Sequence, residues 1–95
     1  MPEKLSKQDI DTALELLTEW SMLDDRDAIQ RQFKFKNFVE AFAFMTAAAL
    51  EAEKMNHPPE WSNVYSTVDV VLTTHSANGV TELDIKLARK MEALA

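Results

Sequence analysis

The chain has 95 residues and a net charge of −6, with a single glycine and no cysteine. The length suits one domain over residues 1–95, and the lack of cysteine excludes disulfides, thiolate metal sites and cysteine nucleophiles. The acidic balance opposes direct nucleic-acid binding, and one glycine leaves no Gly-rich phosphate loop. The N-terminal stretch MPEKLSKQDI has no apolar signal region, and no apolar run reaches membrane-spanning length. We therefore expect a soluble, cytoplasmic protein that does not bind membranes.

The first third of the chain predicts a helix followed by a hairpin. Ser6 with Asp9 three residues later resembles a capping box, and apolar residues then recur at helical spacing, which predicts an amphipathic helix over residues 6–19. Beyond Trp20, the DDRD sequence has turn chemistry, and large side chains alternate with polar ones over residues 29–35. Two antiparallel strands are expected here.

A second helix is predicted from the capping signature of Asn37 and Glu40 to the prolines that follow His57. Its middle, AFAFMTAAAL (41–50), is apolar on nearly every side, whereas a surface helix has a polar face. Either the helix is completely buried or it meets another subunit, and a short chain has little material to bury it. We therefore predict an oligomer in which Phe44 and Ala48 meet a second subunit. The residues predicted to cover the sheet are Phe38, Phe42, Met45 and Ala49.

The last third predicts strand, turn and helix. From Asn63, the stretch NVYSTVDVVLTTH is rich in β-branched residues and fits one long bent strand or two short ones. SANG supplies a turn in which Gly79 is expected at positive φ. Thr81 and Asp84 form a third capping signature before an apolar stripe at helical spacing. The order α-β-β-α-β-β-α predicts an α+β fold, an antiparallel sheet with the helices packed on one face.

Four ionisable residues at the ends of these elements are candidates for a site. A pair of imidazoles supplies one proton donor and one acceptor near neutral pH, and nearby carboxylates orient the rings. The candidates are Glu53 and His57, one helical turn apart, His75 at a strand end, and Asp84 in the first turn of the last helix.

Each candidate also has a purely structural interpretation. Asp84 would serve only as the capping partner of Thr81, and Glu53 would pair with a lysine on the helix surface. His57 would cap the helix C-terminus, and His75 would be a polar strand end. Two histidines and two carboxylates also suit a metal, but no HExxH or similar close ligand spacing is present, so we expect no metal site.

The run Glu53-x3-His57-x-Pro59-x5-Tyr65-x9-His75-x8-Asp84 resembles the signature of the pterin-4a-carbinolamine dehydratase family. The similarity is clear over residues 26–88, includes EAEK, PEW and NVY, and continues more loosely from LSKQD to residue 20. The resemblance implies a four-stranded antiparallel sheet with three helices on one face. It also implies a homodimer formed by strand pairing, or a homotetramer in which helices join two dimers. The mammalian member of the family also serves as a dimerisation cofactor of a homeodomain transcription factor.

The resemblance implies dehydration of the 4a-hydroxytetrahydropterin that pterin-dependent aromatic amino acid hydroxylases release, giving quinonoid dihydropterin and water. The pterin is the substrate, no cofactor is expected, and such a hydroxylase is a candidate protein partner. By resemblance, His57 and His75 are the acid/base pair, and Glu53 and Asp84 support them. The substrate-binding residues that the resemblance implies are Asn56, Pro58, Trp61, Tyr65 and Thr74.

Two positions depart from the family pattern. Family members commonly have His or Asn where this chain has Pro58, and mammalian members have a basic residue where it has Leu83. Pro58 offers no side-chain donor or acceptor, so a substrate contact that the family supplies there is missing. This departure favours an alternative function, an oligomeric binding module that kept the scaffold and lost the chemistry. A purely structural oligomer is a third hypothesis, but it does not explain why both histidines fit the spacing of the family.

Overall fold

The computed structural model describes residues 2–95, which form three helices and one four-stranded sheet. The helices are α1 (Lys7–Leu14), α2 (Phe38–Met55) and α3 (Glu82–Leu94). The strands are β1 (Ser21–Met22), β2 (Ile29–Lys34), β3 (Glu60–Val64) and β4 (Thr67–Leu72), and a 3₁₀ turn follows at His75–Ala77. This order confirms the predicted α+β fold.

The sheet is antiparallel throughout, with the strand order β1-β2-β4-β3. The central pair, β2 and β4, is in register from Ile29 opposite Leu72 to Lys34 opposite Thr67. The β-branched stretch in the last third forms two strands because Tyr65 has a φ of 49°, which reverses the chain. The first hairpin is present as predicted, and of the two alternatives left open for the last third, the structure has the two short strands.

The helices cover one face of this sheet. Side chains on that face are buried and pack with α2 and α3 in one core, and they are Ile29, Phe33, Val68, Val70 and Leu72. The opposite face is polar and exposed at Gln30, Gln32 and Asp69, where the Gln32 amide donates to Asp69 Oδ1 at 3.0 Å. One buried and one solvated face is the pattern expected of an antiparallel sheet with helices on one side.

The buried and exposed faces of α2 are opposite to those predicted. Phe44 is buried, with its ring centroid 4.6 Å from that of Phe33, whereas Phe38 and Phe42 are 49% and 55% exposed. The predicted sheet contact of Ala49 is also wrong, because that residue is exposed, while Met45 is half-buried against the core. The residues of α2 that are buried are Ala41, Phe44, Ala48 and Ala52.

Small side chains explain the orientation of α2. Three of the four buried residues of α2 are alanines, which let the helix backbone approach the sheet and α3 closely, while several large apolar side chains lie on the other side. This exposed stripe, which we call the α2 outer face, consists of Phe38, Val39, Phe42 and Leu50. None of the helices in the described part of the chain is long and apolar enough to cross a membrane.

The helix α1 begins where predicted but ends early. Ser6 Oγ accepts the N–H of Asp9 at 3.1 Å, which caps the helix start. The helix ends at Leu14 rather than near residue 19, and tighter turns follow in which Leu17 and Trp20 each donate to the carbonyl three residues earlier. Leu17 and Trp20 are nevertheless buried, so the predicted apolar stripe still reaches the core.

Gly79 is required by a close approach and not by its φ angle, which corrects the prediction. The left-handed residue of this turn is Asn78, with a φ of 58°. A Cβ atom on Gly79 would lie 2.8 Å from the carboxylate of Asp27. That carboxylate also accepts the N–H of Val80 at 3.0 Å and pairs with Lys4 at 3.1 Å, so it cannot move away freely. The glycine therefore lets the β1–β2 loop pack against the turn after β4.

The orientation of α2 can be tested by truncating one aromatic residue. We expect Phe44→Ala to lower the free energy of unfolding by about 3–5 kcal/mol, because it removes a buried ring and leaves a cavity. Glu53→Ala, at an exposed position of the same helix outside the α2 outer face, should change it by less than about 0.5 kcal/mol. Urea unfolding followed by circular dichroism measures both. Similar losses in the two variants would contradict the assigned faces.

Candidate functional site

His57 is positioned by the way in which α2 ends. Asn56 adopts a left-handed conformation, with φ 51° and ψ 44°, and the N–H of His57 donates to the carbonyl of Ala52 at 3.0 Å. This hydrogen bond closes the helix in the manner of a Schellman motif. The helix is therefore already terminated before Pro58 and Pro59, and the side chain of His57 is directed inward, where the residue is only 7% exposed.

A buried hydrogen-bond network holds the His57 ring. Nε2 of His57 lies 2.5 Å from Oδ1 of Asp84, which is fully buried. Oδ2 of Asp84 accepts the hydroxyl of Thr74 at 2.8 Å and the N–H of Thr81 at 2.9 Å. Asp84 therefore serves both as the capping-box partner of Thr81 and as the partner of His57. The network joins the end of α2, the segment after β4 and the start of α3.

The network also determines which nitrogen of His57 is available. A carboxylate oxygen accepts hydrogen bonds, so Asp84 favours a proton on Nε2 of the ring. Within residues 2–95, Nδ1 has no hydrogen-bond partner, and no buried side-chain nitrogen or oxygen lacks one. Nδ1 is therefore accessible to solvent. It is the atom of His57 that can exchange a proton with a bound molecule.

His75 is held differently, by an exposed carboxylate. It begins the 3₁₀ turn after β4, its side chain is 78% exposed, and its Nε2 lies 2.9 Å from Oε2 of Glu60. Both carboxylate oxygens of Glu60 in turn accept hydrogen bonds of 2.8 Å from the guanidinium of Arg26. Such a two-point Arg–carboxylate contact fixes the plane of the carboxylate as well as its position.

The same contacts keep Glu60 ionised. Hydrogen bonding to the Arg26 guanidinium, followed by that to His75, lowers the pKa of Glu60 to about 2. Because the pKa falls on folding, the carboxylate contributes to stability fully above its ordinary pKa of 4.5. The contribution is lost as the pH falls from there toward 2. At neutral pH, Glu60 therefore accepts hydrogen bonds and does not release or take up a proton.

Both histidines line one cavity of about 310 Å³. A second cavity of about 270 Å³ shares His57, Pro58 and Pro59 with the first. Volumes of this order are at the lower end of those found for small-molecule sites. The other residues of the first cavity are Glu60, Thr73, Thr74 and Ser76, and those of the second are Ala49, Ala52, Glu53, Asn56 and Trp61.

Most of the residues predicted from the sequence therefore lie at these two cavities. Glu53, Asn56 and Trp61 line the second cavity, and Thr74 belongs both to the first cavity and to the buried network. Glu53 is exposed and forms no side-chain hydrogen bond or ion pair within residues 2–95. Neither its predicted contact with His57 nor its alternative pairing with a lysine is seen in the structure.

Tyr65 lies away from the histidines. It occupies the turn between β3 and β4, is 80% exposed, and lines a separate cavity with Phe38, Asn63 and Val64. That cavity shares no residue with the two that His57 lines. The strand β3 carries Tyr65 away from the proline segment, so a substrate contact of this residue is not supported by the geometry of one chain.

Two residues at the site, Arg26 and Glu60, were not predicted from the sequence. They are 34 positions apart and meet because the β1–β2 loop lies beside the start of the edge strand β3. The available signals were the charged turn DDRD and a carboxylate between Pro59 and Trp61. Neither signal indicates that the two side chains meet, since that depends on tertiary structure.

A larger cavity, of about 640 Å³, lies between the N-terminal segment and the β1–β2 loop. Its wall contains charges of both signs, among which Lys4 and Asp27 are paired, and it contains neither histidine. The cavity with two histidines is therefore the better candidate, on chemistry and not on size. Within residues 2–95, no group of three or more His, Asp or Glu side chains is arranged to hold a metal ion.

The sequence model of the family described as pterin 4 alpha carbinolamine dehydratase matches residues 3–94. The chain belongs to this family. A protein of Chelativorans sp. (strain BNC1), provisionally named a pterin-4-alpha-carbinolamine dehydratase, is 57% identical over 93 residues, which cover 98% of this chain and 95% of that protein. A protein of Brucella ovis with the same provisional name is 58% identical over 92 residues, covering 97% of this chain and 95% of that protein.

A solved structure agrees with the fold of this dehydratase-family chain. The crystal structure of a transcriptional coactivator/pterin dehydratase from Brucella melitensis matches it with a TM-score of 0.96 and 57% sequence identity. The match covers 98% of this chain and 99% of that chain. The family resemblance and the predicted sheet with helices on one face are thereby confirmed.

The buried network can be tested through stability. We expect Asp84→Ala to lower the free energy of unfolding by about 3 kcal/mol or more, because it removes a helix cap and leaves buried partners of the carboxylate unpaired. Glu82→Ala is the matched control, since it removes an exposed carboxylate from the same helical turn and should cost less than about 1 kcal/mol. Urea unfolding midpoints compare the variants. Equal losses would show that the buried contacts of Asp84 add little.

Proposed function

We propose that this protein removes water from a 4a-hydroxytetrahydropterin to give quinonoid dihydropterin, with His57 and His75 as the acid/base pair. The supporting observation is that both histidines line one cavity, each with Nε2 on a carboxylate, in a chain of the dehydratase family. A pterin-dependent hydroxylase would supply this substrate. The proposed reaction needs no cofactor.

The chemistry requires one proton donor and one proton acceptor. In the substrate, one ring carbon carries both the hydroxyl group and a ring nitrogen. Dehydration breaks the C–O bond and forms a C=N bond, so an acid must protonate the departing hydroxyl while a base removes the proton of the ring N–H. In our proposal one histidine performs each step. Because His75 is exposed, the protons can return through solvent between turnovers.

The environment of each histidine fits this division of labour. Asp84 holds the ring of His57 and leaves Nδ1 accessible, so the imidazole is oriented before a substrate binds. Pro58, Pro59 and Trp61 provide apolar walls for a bicyclic ring system. Asn56 and Glu53 provide polar groups at the edge of the second cavity. These four functions, orientation, proton transfer, apolar contact and polar contact, are those that the proposed reaction needs.

Replacement of either histidine should abolish most of the acceleration. We expect His57→Ala and His75→Ala each to lower the rate by about 100-fold or more, the low end of acid/base contributions. His57→Gln should do the same while an amide still reaches Asp84, which separates lost catalysis from lost folding. The assay follows the ultraviolet absorbance of enzymatically generated 4a-hydroxytetrahydropterin as it decays. Ser76→Ala, in the same cavity, should keep the wild-type rate. Full activity in both alanine variants would show the assigned roles to be wrong.

A second candidate function is protein binding without catalysis. Two observations favour it: the exposed apolar α2 outer face, and the name coactivator carried by the related structure from Brucella melitensis. Pro58, which lacks the side-chain contact of its family counterpart, adds a third argument. Folded wild-type protein that does not accelerate the decay of the carbinolamine would favour this candidate over the dehydratase.

We also infer that the α2 outer face packs against further copies of the chain, as a homodimer or homotetramer. Its exposed aromatic and aliphatic side chains form a stripe that a solvated helix would not carry. Sedimentation velocity should show a mass well above that of the 10.8 kDa monomer. Phe42→Glu should shift the protein toward monomer, whereas Gln32→Glu, on the polar face of the sheet, should not. A wild-type monomer would refute this inference.

A further inference from the structure

The exposed position of His75 poses a physical problem for its proposed role. With 78% of its side chain exposed, His75 has little packing to select one rotamer or one ring tautomer. A neutral imidazole can carry its proton on either nitrogen, and only one arrangement presents the correct nitrogen to a substrate. His57 avoids the problem by burial against Asp84. For His75, the groups that contact the ring must supply the constraint.

Glu60 and Arg26 form a chain of contacts that ends at His75. Oε2 of Glu60 accepts from Nε2 of His75 at 2.9 Å and from the Arg26 guanidinium at 2.8 Å. The other oxygen of Glu60 accepts a second guanidinium hydrogen bond of 2.8 Å. Glu60 is also the first residue of β3, paired with Val71 of the adjacent strand, so its backbone is fixed by the sheet.

The loop that carries Arg26 is anchored to the segment that carries His75. The next residue, Asp27, accepts the hydroxyl of Thr73 on its backbone carbonyl at 2.8 Å. The carboxylate of Asp27 accepts the N–H of Val80 at 3.0 Å and packs against Gly79. These contacts lie on both sides of the 3₁₀ turn. The base of the Arg26 side chain is therefore held at a fixed place relative to His75.

We propose that Glu60 and Arg26 are positioning residues for His75, which hold its proton on Nε2 and present Nδ1 to the cavity. The effect of these residues on catalysis rests on the proposed function, whereas their effect on the tautomer and orientation of His75 does not. Glu60 receives the ring N–H, and Arg26 fixes the plane of the Glu60 carboxylate. The hydrogen bonds from Arg26 and from His75 itself lower the pKa of Glu60, so Glu60 remains an acceptor and does not take the proton away.

The competing explanation is a solvent-exposed ion pair without consequence. About 40% of the side chain is exposed in both Arg26 and Glu60, and exposed pairs often contribute little to stability. Stability measurements therefore do not discriminate between the two explanations. A positioning role predicts instead an effect that passes through His75 and disappears when His75 is absent.

The test compares Glu60→Gln in the wild-type and His75→Ala backgrounds. In the wild-type background we expect kcat for 4a-hydroxytetrahydropterin to fall about tenfold with KM nearly unchanged. The loss should be smaller than that of His75→Ala, because a residue acting through His75 cannot contribute more than His75 does. In the His75→Ala background, Glu60→Gln should have no further effect. Equal losses in both backgrounds would overturn the proposal.

NMR spectroscopy can determine the tautomer of His75 without an activity assay. The chain contains two histidines, so the ring ¹⁵N signals of His75 are identified by their loss in His75→Ala. We expect the wild-type neutral ring to carry its proton on Nε2. In Glu60→Gln a mixture of tautomers should appear, because an amide can donate as well as accept. The control is Glu51→Gln, which disrupts another surface ion pair, with Lys54 and Lys90.

The two measurements separate failure of this inference from failure of the proposed function. Wild-type protein that does not accelerate the reaction would refute the dehydratase, while the ¹⁵N spectra would still decide the tautomer. An unchanged His75 tautomer in Glu60→Gln would overturn the positioning role, whatever the activity of the protein.

Discussion

The carboxylate of Asp84 is the interaction on which the arrangement of the site depends. It is fully buried, and it accepts hydrogen bonds from His57 at the end of α2, Thr74 after β4 and Thr81 at the start of α3. Burial of a carboxylate is costly unless hydrogen bonds replace the lost water. Here both oxygens have partners, so the cost is offset only when all three segments are in place. The carboxylate that joins these three segments of the fold therefore also orients a candidate catalytic ring.

The two histidines are constrained by opposite physical means. His57 is largely buried, and its hydrogen bond to the fully buried Asp84 is strong enough that little else is needed. His75 is held at the surface, where water competes, so the two-point contact between Glu60 and Arg26 has to supply the geometry. The difference suits acid/base chemistry at a small cavity. In the proposed reaction, one ring is rigid beside the substrate, while the other stays in contact with solvent, from which protons can be replaced.

Structural features that depend on residues close together in the sequence could be predicted. Features that depend on contacts between distant residues could not. The caps at Ser6, Asn37 and Thr81 were predicted correctly because each signal lies within four residues of chain. The orientation of α2 was not predicted correctly, because a helix that is apolar all round has no polar face to show that Phe44 is buried and Phe42 exposed. In the same way, the spaced motif indicated the histidines and Asp84. It could not indicate Arg26 and Glu60, since their pairing requires the β1–β2 loop to meet the far edge of the sheet.

The short segment His57-Pro58-Pro59-Glu60 connects the two halves of the site. Asp84 holds the ring of its first residue, His57. The carboxylate of its last residue, Glu60, contacts His75. Each proline fixes its own φ and restricts the residue before it, so the distance between the two contacts varies little. Pro58 offers no side-chain donor or acceptor, but its ring fixes its own φ and so removes backbone freedom at this position. The segment therefore links the His57 ring, held by Asp84, to the Glu60 carboxylate, held by Arg26, through a chain with little backbone freedom. A chain that has little freedom before a ligand binds loses less conformational entropy on binding, so the two prolines favour a preformed cavity at the two histidines.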